Sequence, residues 1–144
     1  MSQDRRVRKT QTAIKDALIT LLEKKRFEEI TIQEISNLAD VNRSTFYTHF
    51  IDKYDLLEKM ENEKIDEIRS FLESSKNDDE LKISESQLRE TMDFVINSIG
   101  EHLDFYKLMF NLGKESNLHE KLYELLTGHL NHVCLLYTSP SPRD

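Results

Sequence analysis

The 144-residue sequence has no tryptophan, one cysteine, three glycines and two prolines, and both prolines fall among the last five residues. So little turn chemistry excludes a sandwich or barrel, whose many tight turns draw on glycine and proline, and predicts an all-α chain. A single cysteine, Cys134, cannot build an internal disulfide framework. No apolar run approaches the roughly 18 residues that would suggest a membrane span, and the start MSQDRRVRKT lacks the apolar region of a secretory signal. The expectation is a cytoplasmic protein without a membrane partner. Enzyme motifs are missing too: there is no nucleophile–base pair, no glycine-rich phosphate loop and no metal-ligand spacing. His129 and His132 share a helical face, but Cys134 points elsewhere and four ligands do not converge. Neither an enzyme nor a cofactor nor a metal site is predicted.

What is present is charge, unevenly spread. The net charge of −7 argues at first against a nucleic-acid partner. Residues 1–59, however, hold 11 Lys/Arg against 10 Asp/Glu, a net +1, whereas residues 60–144 hold 9 against 17, a net −8; the two give the total of −7. An acidic part would be held away from phosphates, while the near-neutral part carries a basic arm at Arg5, Arg6, Arg8 and Lys9.

Helical periodicity runs through most of the chain. Ile14, Ala17, Leu18, Leu21 and Leu22 form one stripe over a helix from Thr10 to about Lys25, with Phe27 and Ile30 as core plugs after it. Thr31 and Glu34 have the spacing of a capping box opening a second helix, whose inner face is Ile32, Ile35, Leu38 and Ala39. That helix stops near Asp40, and Asn42 can cap the next. From Arg43 to Phe50, Phe46 and Phe50 point inward, Ser44 and Thr48 nearly opposite, with Thr45 and Tyr47 on the flanks. Two short helices joined by so tight a turn, the second with a small polar outer face, are the helix-turn-helix arrangement that enters the major groove.

A long fourth helix is predicted from about Lys53 to Ser74, then a polar connection, SSKNDDELKIS. A segment opening at Ser84, with Gln87 as capping partner, should bury Leu88, Met92, Val95, Ile96, Ile99 and Leu103. DFYKLMFNLG, from Asp104 to Gly113, is apolar almost all round and reads as deep core, interface or pocket wall. A cap at Ser116 or Asn117 opens a last helix with Leu118, Leu122, Leu125, Leu126, Leu130 and Val133 inward. The closing YTSPSPRD shares neither the periodicity nor the composition and reads as a non-native or disordered tail.

The run TIQEISNLADVNRSTFYTHFIDKYDLL, preceded by an amphipathic helix and a basic arm, resembles the DNA-binding head of the TetR/AcrR family of transcriptional regulators over roughly residues 10–60. The resemblance lies in the threonine opening the second helix, Val41 in the turn, the hydroxyl-aromatic-Tyr-x-His-Phe run and the lysine opening the fourth helix. It implies a three-helix helix-turn-helix head, joined by a long fourth helix to a helical C-terminal body for ligand binding and dimerisation. The expected division is an arm and DNA-binding domain at 1–52, a regulatory domain at 53–136 that is incomplete, and the tail at 137–144. Implied partners are a palindromic double-stranded operator, an unknown small-molecule effector and, in the complete protein, a second copy of the chain. The implied function is repression relieved by the effector; a helical protein-interaction module without DNA function is the alternative.

Carried onto these residues, the resemblance gives Thr31 and Gln33 contacts to phosphates or the groove edge. Arg43, Ser44, Thr45 and Thr48 would face bases, and Tyr47, His49 and Lys53 would hold phosphates. The chemistry suits these roles: Arg43 can donate twice to a guanine edge, threonine methyls can pack on a thymine methyl, and Tyr47 and His49 are donors for phosphate oxygens. Phe105, Tyr106, Phe110 and Tyr123 are either the wall of an effector pocket or plain core. Asp40 stands where the family places glycine, so a strained left-handed backbone is expected there. On this resemblance the chain is expected to stop short of the helix pair through which family members dimerise.

Overall fold

A computed structural model describes residues 2–74 and 85–137. Seven helices occur among them: α1 (Ser2–Leu22), α2 (Ile32–Ala39), α3 (Arg43–His49), α4 (Lys53–Ser74), α5 (Glu85–Glu101), α6 (Leu103–Asn111) and α7 (Leu118–Tyr137). Single 3-10 turns cover Phe27–Glu29 and Gly113–Glu115, and no strand occurs among the described residues. The polar connection at 75–84, with the expected cap Ser84, and the tail at 138–144 lie outside the described residues. So do the side chains of Leu130, His132, Val133 and Cys134.

The first helix begins at Ser2, eight residues earlier than its apolar stripe predicts, so Arg5, Arg6, Arg8 and Lys9 belong to exposed helical turns and form no separate arm. The stripe itself is buried through Ile14, Ala17, Leu18 and Leu22, with Leu21 half-buried. Phe27 and Ile30 fill the core beside it as expected. α1 packs on α2, and α2 on α3, which makes a three-helix head within the first 50 residues. One expected core residue of α2 fails: Leu38 is exposed, because Ile35 and Ser36 take the face that meets α1 and α3.

With 22 residues, α4 is about 33 Å long at ~1.5 Å per residue. It buries Leu56 and Leu57 among head residues and Ile65, Ile68 and Leu72 further along, so head and body share one core. Phe71 of α4 stacks on Phe94 of α5 with ring centroids 3.7 Å apart. A buried carboxylate ties α4 to the start of α7. Glu61 accepts hydrogen bonds from the Ser116 hydroxyl (2.8 Å), the Asn117 amide (3.3 Å) and the Lys121 ammonium (3.3 Å). A carboxylate at the amide-rich start of a helix is favourably placed, and Ser116 in turn accepts from the Leu118 amide at 3.3 Å.

The body departs most from its predicted core along α5. Met92 and Ile96 are 52% and 61% exposed and Leu103 is also exposed, so three of the six expected core residues face solvent. The one buried residue of α5 is Thr91, whose hydroxyl donates to the Gln87 carbonyl. The physical reason is rotation: α5 meets α4 and α6 through the flank carrying Thr91, Val95 and Ile99, and Met92 and Ile96 lie off that flank.

Candidate nucleic-acid interface

α2 is fixed at its start by a complete capping box. The Thr31 hydroxyl accepts from the Glu34 amide at 3.1 Å, and the Glu34 carboxylate accepts from the Thr31 amide at 3.0 Å and from its hydroxyl at 3.3 Å. Lys25 also bonds the same carboxylate. The hydrogen bond from Lys25, then that from the Thr31 amide, hold the Glu34 carboxyl below the ordinary range. The Thr31 hydroxyl thereby serves the start of α2. Gln33 is exposed and donates to Asn37 one turn on (2.8 Å).

The turn into α3 is set by backbone. Asp40 adopts φ 58°, ψ 45°, the left-handed conformation that glycine takes at no steric cost. The Val41 amide then reaches back to the Ser36 carbonyl at 3.0 Å. Asn42 stands at the cap of α3, but its side chain makes no capping hydrogen bond; only its carbonyl engages the helix, through the Thr45 and Phe46 amides.

Phe46 and Phe50 are buried with ring centroids 5.6 Å apart, and they fix how α3 lies on the head. Arg43, Ser44, Tyr47 and Thr48 are exposed on the far side, with Thr45 and His49 half-buried at the edges. The Arg43 guanidinium lies 5.8 Å from the Tyr47 ring centroid, within cation–π range, so the two long side chains are held together on the outer face. The Thr48 hydroxyl donates to the Ser44 carbonyl (3.0 Å), which leaves its lone pairs and methyl for a neighbouring group.

Lys53, expected to hold a phosphate, has its ammonium engaged within the head. Its ammonium donates to the carbonyls of Phe27 (2.7 Å), Ile30 (3.0 Å) and Glu28 (3.2 Å), and sits 4.7 Å from the Phe27 ring centroid. All three donors of the ammonium are used. Lys53 therefore ties the start of α4 to the turn between α1 and α2. Two residues that periodicity did not single out reach α3 instead. Lys59 of α4 donates to the His49 carbonyl (3.3 Å) and pairs with Asp55 (3.2 Å), and the Gln11 amide of α1 lies 3.5 Å from His49 Nδ1. The four-residue spacing of Asp55 and Lys59 was a signal for the first; nothing in the sequence marks Gln11. Asp55 also accepts from the Ile51 amide at 2.9 Å, which with Lys59 holds its carboxyl low.

The four aromatics expected as an effector wall or plain core lie in two environments. Phe105 and Tyr106 are buried core, whereas Phe110 and Tyr123 are 49% and 71% exposed. The Tyr106 hydroxyl is buried without a hydrogen-bond partner among the described residues, and burial, with Glu67 nearby, pushes it above the ordinary tyrosine value.

Residues 14–60 match the family model of bacterial regulatory proteins, tetR family. An uncharacterized HTH-type transcriptional regulator of Bacillus subtilis (strain 168), YxbF, is 33% identical over 85 residues, which cover 58% of this chain and 22% of that relative. No solved structure matches the chain.

Proposed function

We propose that this chain, whose residues 14–60 match the model of bacterial regulatory proteins, tetR family, is a sequence-specific DNA-binding transcriptional regulator, a repressor released by a small-molecule effector. The observation that carries this reading is the outer face of α3, where Arg43, Ser44, Tyr47 and Thr48 are exposed together while Phe46 and Phe50 hold the helix down. Arg43 matches the paired acceptors of a guanine edge, and Ser44, Thr45 and Thr48 are short enough to let α3 approach the bases. Tyr47, His49 and Gln33 supply donors for phosphate oxygens, and the exposed Arg5, Arg6, Arg8 and Lys9 on α1 add charge. Residues 1–52 act as the DNA-binding unit and 53–136 as the regulatory one. Two copies would set their α3 helices about 34–36 Å apart on one face of the duplex.

Selection of bound sequences from random duplexes at two salt concentrations tests this. A palindromic motif recovered at both supports a dimeric sequence reader. Salt-sensitive binding without a motif reduces it to nonspecific phosphate attraction. A folded protein that retains no duplex at either concentration favours an interaction module without DNA function.

A further inference from the structure

Beyond the DNA-facing surface, the described residues include a cleft of about 430 Å³ where α1, α4 and α6 meet. That volume lies within the range of small-molecule sites. Its floor is apolar, from Ile19, Met60 and Phe105, and its rim carries Arg8, Lys64 and His102. Other clefts, along α4 and α7, are walled mainly by paired or mixed charges such as Asp66, Arg69, Lys121 and Glu124. The α1–α4–α6 cleft is lined by the cations Arg8, Lys15 and Lys64 and by the anions Asp16 and Glu63. Glu63 is bound to Lys15 and Lys64 lies 3.6 Å from Glu67, whereas Arg8 makes no ion pair among the described residues.

We propose that this cleft binds a small organic carboxylate with an aliphatic or aryl body, and that its occupancy is read directly by the recognition helix. Asp16, like Arg8, makes no ion pair among the described residues. The choice of an anion therefore rests on the form of the Arg8 side chain: its guanidinium fork can donate to both oxygens of a carboxylate whose hydrophobic body lies on the apolar floor. The link to α3 is short. Gln11 lines the cleft, and its amide also reaches His49 at the end of α3. At 3.5 Å that contact is at the outer limit of a hydrogen bond. Lys15 lines the cleft too and bridges α1 to Glu63 of α4. A carboxylate entering beside Arg8 competes with Glu63 for Lys15 and with His49 for Gln11. Both exchanges loosen the head against α4, at the end of α3 that faces phosphate in the proposed regulator. The coupling rests on that regulatory reading; the site itself does not.

The test uses the whole chain carrying 13C-methyl methionine, with octanoate and 1-naphthoate as probes and octylamine as the charge control. Expected is a saturable shift of the Met60 methyl resonance with either carboxylate and none with the amine. Arg8→Glu, at an exposed position, should weaken octanoate by about tenfold or more, as loss of a charge-assisted hydrogen bond does, and Tyr123→Phe should leave it unchanged. No Met60 shift with either carboxylate, equal binding of octylamine, or undiminished binding by Arg8→Glu would overturn the site. Retention of the selected duplex, measured against matched chloride, should fall about 5- to 150-fold at saturating octanoate. Undiminished retention with the Met60 shift saturated would overturn the link to α3. A protein that holds no duplex even without octanoate instead refutes the regulatory reading, and the Met60 data still decide the cleft.

Discussion

The head and α5 carry equally clear apolar stripes, and the two fare differently. In α1 the spacing of Ile14, Ala17, Leu18 and Leu22 ends in full burial; in α5 the spacing of Met92 and Ile96 ends at the surface. Periodicity states which face of a helix is apolar. Burial needs a partner on that face, and the three head helices find theirs within 50 residues of sequence, while α5 meets α4 and α6 along a different flank. The lesson is that apolar spacing is a reliable guide to core where the neighbouring helices are close in sequence.

The sharpest way to break this contrast is a pair of truncations. Phe46→Ala removes a ring with no exposure from the centre of the head and should cost about 3–5 kcal/mol. Ile96→Ala, on the solvent side of α5, should stay within about 0.5 kcal/mol of the parent. Urea unfolding of both variants measures the difference. Similar losses would mean that Ile96 is as buried as its spacing suggests.

The joint between the two regions comes next. Glu61→Ala strips the Ser116 hydroxyl and the Asn117 amide of their acceptor and leaves Lys121 without its buried partner. Because Lys121 is a quarter exposed, the cost should fall below that of a fully buried broken pair, about 2–3 kcal/mol. Amide exchange should quicken at the start of α7 and leave α3 protected; uniform quickening would show that the tie supports the whole fold and not this joint.

Within the head, Lys53→Ala separates a structural role from a DNA role. Removing the ammonium leaves the carbonyls of Phe27 and Ile30 without this donor, at a cost of about 1–3 kcal/mol. The salt dependence of duplex binding should keep the parent's slope, since no phosphate charge pair is lost. A slope lowered by about one ion with unchanged stability would return Lys53 to the phosphates.

These cases also show how far the sequence could be read. The capping box at Thr31 and Glu34, the inward Phe46 and Phe50 and the left-handed Asp40 were legible because each depends on neighbours within four residues. The commitment of Lys53 spans 23 to 26 residues, and the reach of Gln11 to His49 spans 38. Such pairings depend on how helices are set against one another, which local spacing does not encode. The four aromatics Phe105, Tyr106, Phe110 and Tyr123 were likewise divided between two environments by the packing of α6 and α7.

The smallest effects compare two defects of one kind. Ser36 in the head and Tyr106 in the body each bury a hydroxyl with no partner among the described residues. Replacing a buried unpartnered hydroxyl by hydrogen removes a desolvation penalty, so Ser36→Ala and Tyr106→Phe should each stabilise the fold, by up to about 1 kcal/mol. Their pH dependence should differ. Burial raises the Tyr106 hydroxyl above 10.0, so the neutral form is favoured more in the folded state than in the unfolded one. The stability linked to that shift is fully present below 10.0 and is lost as pH rises through the raised folded value. Tyr106→Phe should therefore gain on the parent as melting is followed from neutral to alkaline pH, whereas the gain from Ser36→Ala stays constant. If the two gains run parallel with pH, Tyr106 is hydrated in solution and the body is more open beneath α6 than the head is beneath α2.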